Sequence, residues 1–200
     1  MVRIARQDYL YDGCYVHVIS RSIRAIKLFK DEEDFCVFIE MLKKAKERAN
    51  FRVYHYCIMQ THFHMAIQIA KFLDFSKAMQ ELKSGYSYKY HQKYKISGPI
   101  WRERYRSLLI EDEHYLYACG QYIENNPVKA GLVNSASDWL YSSRLSYQEG
   151  KVDGFVDGYE QYAQVKKKTD IFLEEEEFFE RGSVIGSALF RFQFKKDMKG

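Results

Sequence analysis

Proline is almost missing from this chain, two in 200 residues. This excludes a Pro-rich linker or a polyproline segment and leaves one packed domain plus an appendage as the natural reading. Cysteine is scarce and scattered: Cys14, Cys36, Cys57 and Cys119 form no Cys-x-x-Cys pair, which argues against a zinc ribbon or a disulfide framework. They fall in apolar runs, where a free thiol behaves as a small hydrophobe. No apolar run approaches the roughly 18 residues needed to span a bilayer. The stretch Met1 to Asp8 carries no apolar core of signal-peptide length. A reduced, cytoplasmic setting without a membrane partner is therefore expected. No segment repeats at a solenoid period. Neither sign of charge dominates either, with 31 Lys and Arg against 27 Asp and Glu, so the distribution of charge carries more information than its total.

What the chain has in excess is aromatic residues, 17 Tyr and 14 Phe, set in patterns that alternate between strand and helix periods. Cys14–Ser20 reads as a strand after the turn Tyr11-Asp12-Gly13. Acids at Asp31–Asp34 open a helix whose apolar positions Phe35, Phe38, Ile39 and Leu42 follow the 3.6-residue period, and Lys43–Arg48 close it with the favourable sign. Phe51–Met59 and His62–Ile69 read as strands separated only by Gln60-Thr61. Phe75 to about Tyr94 is a second helix, Tyr105–Ile110 a fourth strand, and a third helix starts at Asp112 and is expected to end at Asn126-Pro127. The order β-α-β-β-α-β plus a helix predicts an α+β, ferredoxin-like sandwich over residues 1–147. Residues 148–200 read as a small helical appendage with no assigned activity.

Three constellations carry chemistry. In His62-Phe63-His64 the strand period points both imidazoles to one face and Phe63 to the other, so one face can hold a divalent ion while the other is anchored in a core. Two histidines leave positions for further ligands. On the third helix Tyr122 and Asn126 are four apart and share a face. Tyrosine can act as a nucleophile and Asn can offer an oxygen to a metal. Only roughly 0.1% of a free tyrosine is ionised at neutral pH, so attack on a phosphodiester would need a cation to polarise the phosphate. Tyr115 and Tyr117 are competitors on the same helix. Finally, Lys83 to Arg106 holds Lys83, Lys89, Lys93, Lys95, Arg102, Arg104 and Arg106 against the single acid Glu103, interleaved with Tyr86, Tyr88, Tyr90, Tyr94, Trp101 and Tyr105. Cations for phosphates and flat rings for unstacked bases suit single-stranded nucleic acid. Arg21 and Arg24 extend that surface.

Taken in order, Val16-His17-Val18 with Arg21, Leu28-Phe29, Met59 to His64, Gly98 to Tyr105, Tyr122 to Val133 and Asp138 to Ser143 resemble the HUH single-tyrosine transposases. The similarity is to the REP-associated branch, related to small insertion-sequence transposases, and runs over roughly residues 9–147. The chain departs from the family at Gln60-Thr61, where Pro-Asn is frequent. The resemblance implies an HUH nuclease fold with an extra catalytic helix, and metal-dependent cleavage of single-stranded, hairpin or palindromic DNA. His62 and His64 would ligate Mg²⁺ or Mn²⁺ with Asn126 as a third ligand. Tyr122 would be the nucleophile, forming a 5′-phosphotyrosine that allows strand transfer, and a homodimer is conceivable. A non-catalytic DNA-binding regulator on the same fold and a replication-initiator-like nickase are the other readings these residues admit.

Overall fold

The β-branched and aromatic run after Gly13 forms strand β1 (Tyr15–Arg21), and the acid-capped amphipathic run forms helix α1 (Glu32–Ala49). The computed structural model describes residues 5–148, 154–158 and 184–197. Asp31 caps α1 by accepting from the Asp34 N–H, and Asn50 closes it in the left-handed conformation (φ 51°). Strands β2 (Arg52–Met59) and β3 (His62–Gln68) make a tight hairpin across Gln60-Thr61. Helix α2 (Phe72–Tyr94), strand β4 (Arg106–Ile110) and helix α3 (Glu113–Lys129) follow, and then a short helix α4 (Arg144–Gln148). The sheet order is β2-β3-β1-β4, every neighbour antiparallel, which is the ferredoxin-like arrangement.

The two faces of this sheet bury different residues. Val16, Val18, Phe63, Met65 and Ile67 pack with Phe38 and Leu42 of α1 and Phe75, Met79 and Tyr86 of α2. Ile19, Cys57, Ala66 and Leu108 point the other way, onto Leu116, Cys119, Tyr122 and Ile123 of α3. The strand period of two thus assigns each residue to one of two cores. A β-bulge between Val53 and His55 turns both Tyr54 and His55 towards the α3 side, which simple alternation would not allow.

Two expectations change. Helix α3 does not stop at Asn126; it continues through Pro127 to Lys129. Proline lacks the N–H that would reach the Ile123 carbonyl, and the Asn126 side-chain amide supplies a substitute, donating to Ile123 O at 3.2 Å and to Tyr122 O at 2.8 Å. The segment beyond 148 also contributes more than helix. Phe155 and Val156 enter the α1/α2 core, and a fifth strand β5 (Val184–Ile185) pairs parallel with β4, followed by helix α5 (Ala188–Asp197). Among the described residues no helix is long and apolar enough to cross a membrane.

Candidate active site

The hairpin tip that presents the histidines is held by backbone bonds from the loop after β1. Ser22 N–H donates to Thr61 O at 2.8 Å, and Leu28 and Phe29 N–H donate to Gln60 O at 2.8 and 3.2 Å. Phe63 is fully buried against Phe38 and Trp101, which fixes the opposite face for His62 and His64. Their rings lie 5.0 Å apart, centroid to centroid. The Thr61 hydroxyl sits 2.9 Å from His62 Nδ1, so the residue that departs from the family pattern contacts the first histidine of the pair.

Burial, with Arg21 nearby, lowers His62 to about 4. Burial also drives His64 well below its ordinary value, helped by His17, His62 and Arg21. Both rings are therefore neutral near pH 7, the state in which imidazole offers a lone pair to a metal. His64 Nε2 is buried and has no hydrogen-bond partner among the described residues. These two donors fit a divalent cation in an open site, completed by groups from elsewhere. The described residues contain no cluster of three or more His, Cys, Asp or Glu arranged as a closed metal cage.

Helix α3 brings Tyr122 beside His64 and His17. Its ring centroid is 6.2 Å from that of His64 and 6.3 Å from that of His17, both edge-on. Lys129 Nζ lies 4.6 Å from the Tyr122 ring centre. Asp112 caps the helix start, accepting from the His114 and Tyr115 N–H groups. Asn126 is half-buried one turn beyond Tyr122, with its amide nitrogen engaged by the helix backbone. The helix is clamped from below. His55 Nδ1 lies 2.8 Å from Glu124 Oε1, Ser143 Oγ donates to the same oxygen at 2.7 Å, and Arg144 is 3.6 Å from Oε2. Burial pushes the Glu124 carboxyl up, but His55, Ser143 and Arg144 outweigh it and hold it below its usual value. Gly120 makes room for this contact; a Cβ there would come within 2.3 Å of His55 Nε2.

The basic residues divide into two groups. Trp101 bridges to Ser22, and Arg102 N–H donates to Arg21 O at 2.9 Å, so the basic segment is stitched to the end of β1 beside His62. Burial lowers the Arg21 guanidinium from its ordinary value, the neighbouring Tyr122 opposes this, and Arg106 and Arg102 add to it. Arg102 and Arg104 are exposed and Arg21 and Arg106 half-buried. Lys83 instead points inward. It is 6% exposed, donates to the Glu103 and Arg104 carbonyls and lies 4.7 Å from the Trp101 ring, and burial pulls its amine to about 7. It holds the loop that carries Arg102 and Arg104 and does not face solvent. Lys93 is tied to Asp31, Glu33 and Asp34 at the start of α1. Lys89 is exposed on α2, on the sheet face opposite Tyr122, and Trp101 is half-buried with its indole N–H on Lys83 O. Arg24 is exposed in the left-handed conformation (φ 50°).

Sequence reasoning passed over His17 and the Glu124–His55 pair. The alternation in β1 placed His17 on the face of Ile19 and Arg21, a signal that was present but gave no distance to His64. His55 was hidden by the bulge.

A sheet of this order, with paired histidines on an inner strand facing a tyrosine on a following helix, defines the HUH nuclease fold class. The chain belongs to the IS200-like transposase family, whose model matches residues 10–126. It is 30% identical over 149 residues to a Haemophilus influenzae protein named as a REP-associated tyrosine transposase, covering 69% of this chain and 83% of that one. Its fold is similar to that of a REP-associated tyrosine transposase solved with a REP hairpin, with TM-score 0.60 at 21% identity over 80% of this chain and 93% of the other. The protein is thus a tyrosine transposase, an enzyme class that cleaves and recombines DNA.

Proposed function

We propose that this transposase cleaves single-stranded DNA next to a hairpin or palindromic repeat and transfers the strand through Tyr122, acting in the cytoplasm. The observation that carries this reading is the approach of the Tyr122 ring to His64 and His17 beneath a cationic rim. The hairpin bound by the similar solved transposase supports the choice of substrate. His62 and His64 would hold a divalent ion, Mg²⁺ or Mn²⁺, with Asn126 as a further ligand. When bound, such an ion polarises the scissile phosphate and offsets its negative charge.

The protein's own groups do the rest. Tyr122 Oη attacks the phosphorus, its proton passing to solvent. The bond from phosphorus to the 3′ oxygen breaks, and that oxygen takes up a proton as a free 3′-OH. The new 5′-phosphotyrosine keeps the energy of the broken ester, so attack by another 3′-OH rejoins a strand without ATP. Arg21, Arg102, Arg104 and Arg106 bind and orient the backbone electrostatically.

End-labelled hairpins from the flanking DNA, incubated with enzyme and Mn²⁺, should become covalently attached to wild type and remain free with Tyr122→Phe. An adduct that persists in Tyr122→Phe and vanishes in Tyr115→Phe or Tyr117→Phe would overturn the assignment. Binding without any adduct would favour a non-catalytic regulator.

A further inference from the structure

We propose that His17 is a positioning residue that fixes the tautomer of His64, leaving the Nε2 lone pair of His64 for a divalent cation. The inference rests on the metal reading above. His17 Nε2 and His64 Nδ1 are 3.0 Å apart, with the ring planes inclined by 23° and the centroids 5.2 Å apart. The two side chains are 0% and 1% exposed. Pairing explains the contact: Ile19 stands opposite His64 in the β1–β3 ladder, so His17 is the diagonal neighbour on the same face, within reach of a long flat ring.

A neutral imidazole has one donor nitrogen and one acceptor, so the 3.0 Å contact requires one ring to donate. If His17 donated, the His64 proton would sit on Nε2, a buried N–H with no acceptor among the described residues. That arrangement closes Nε2 to a cation; the opposite one puts the other ring's buried proton on His17 Nδ1, so the metal reading, not burial cost, selects between the two. In the opposite arrangement His64 Nδ1–H donates to His17 Nε2, and His64 Nε2 becomes a buried lone pair for which a cation is the natural partner. Metal-binding histidines commonly direct their second nitrogen to a carboxylate or carbonyl, and that outer contact sets ring orientation and basicity. A neutral ring in that role adds no negative charge below the place where a phosphate must bind. Thr61 stands in the same relation to His62, through its hydroxyl at 2.9 Å from Nδ1.

The test compares wild type, His17→Gln, His17→Leu and His64→Ala. Mn²⁺ affinity is measured by calorimetry, folding by circular dichroism, and the ring tautomers of the metal-free wild type by long-range ¹H–¹⁵N NMR. Glutamine can place its amide oxygen near the former Nε2, so His17→Gln should keep Mn²⁺ affinity close to wild type. His17→Leu should lose roughly 10–100-fold while remaining folded. The NMR spectrum should show His64 as the Nδ1–H form. The proposal is overturned if His64 carries its proton on Nε2, a result readable from wild type even if His17→Leu does not fold. It is also overturned if His17→Leu binds Mn²⁺ like wild type while His64→Ala does not. Unchanged binding in His64→Ala would instead refute the metal site, and the inference with it.

Discussion

Glu124 Oε1 and His55 Nδ1 meet at 2.8 Å, neither side chain reaching solvent, two residues along α3 from Tyr122. The pair joins the helix that carries Tyr122 to the edge strand of the sheet. Ser143 binds the same carboxylate, and the segment from Trp139 to Ser143 covers the free edge of β2, with Ile58 N–H donating to Tyr141 O, Ser143 N–H to Tyr56 O and the Trp139 indole to Ile58 O. Removing one partner of a buried pair strands the other without compensation.

Glu124→Leu should therefore destabilise the protein by roughly 3–5 kcal/mol. Chemical denaturation measures this directly. Loss of no more than a surface-type increment would show that the pair contributes little.

Gly120→Ala tests the same junction from the other side. The added methyl would meet the His55 ring at 2.3–2.4 Å, so α3 must lift or the ring must turn. Overpacking of this kind costs about 1–3 kcal/mol, and covalent attachment of DNA should fall more than stability does because Tyr122 moves with the helix. Shortening the obstacle should relieve it: Gly120→Ala combined with His55→Ala should be less destabilised than the sum of the single variants. Simple additivity in the double-mutant cycle would argue against the contact.

Salt dependence separates the two groups of cations. Each phosphate contact to a single strand contributes about −0.7 to the slope of log K against log salt. Arg102→Ala, at the exposed rim beside Arg21, should reduce the magnitude of that slope by roughly 0.7. Lys93→Ala should leave the slope nearly unchanged, because its ammonium is already neutralised by Asp31, Glu33 and Asp34. Fluorescence anisotropy with a labelled hairpin across a salt series reads both, and equal effects would contradict the division.

Alkaline stability should report on Tyr15. Burial, then the neighbouring Tyr54 and Glu113, raises its phenol to about 12, and its hydroxyl donates to Glu113 Oε1 at 3.2 Å. The unfolded chain releases this proton near pH 10 and the folded one near 12. The native state thus binds the proton more tightly, so this contribution is fully present below about pH 10 and is lost between about 10 and 12. Tyr15→Phe should flatten the fall in unfolding free energy across that window. An unchanged slope would mean that Tyr15 titrates normally.

The local instructions in this chain were strong. Alternation alone puts His62 and His64 on one face and Phe63 on the other, because successive strand residues must point oppositely. Acids before α1, the Asp112 cap and the helical spacing of apolar residues likewise mark the helices from neighbours a few residues away. The end of α3 was misread because Pro127 looks like a terminator; only the Asn126 amide, bonding back to Ile123 O, shows how the helix passes through it.

What the tertiary structure decided are the contacts between residues distant in sequence. His17 reaches His64 across 47 residues and His55 reaches Glu124 across 69, through strand register in the first case and a bulge in the second. The same is true of the cations. Lys83 and Arg102 belong to one basic run, yet the fold buries one against backbone carbonyls and leaves the other exposed beside Arg21. Local spacing determines which face of an element a residue occupies. The partner on that face depends on how strands align and sheets pack, which no local pattern encodes.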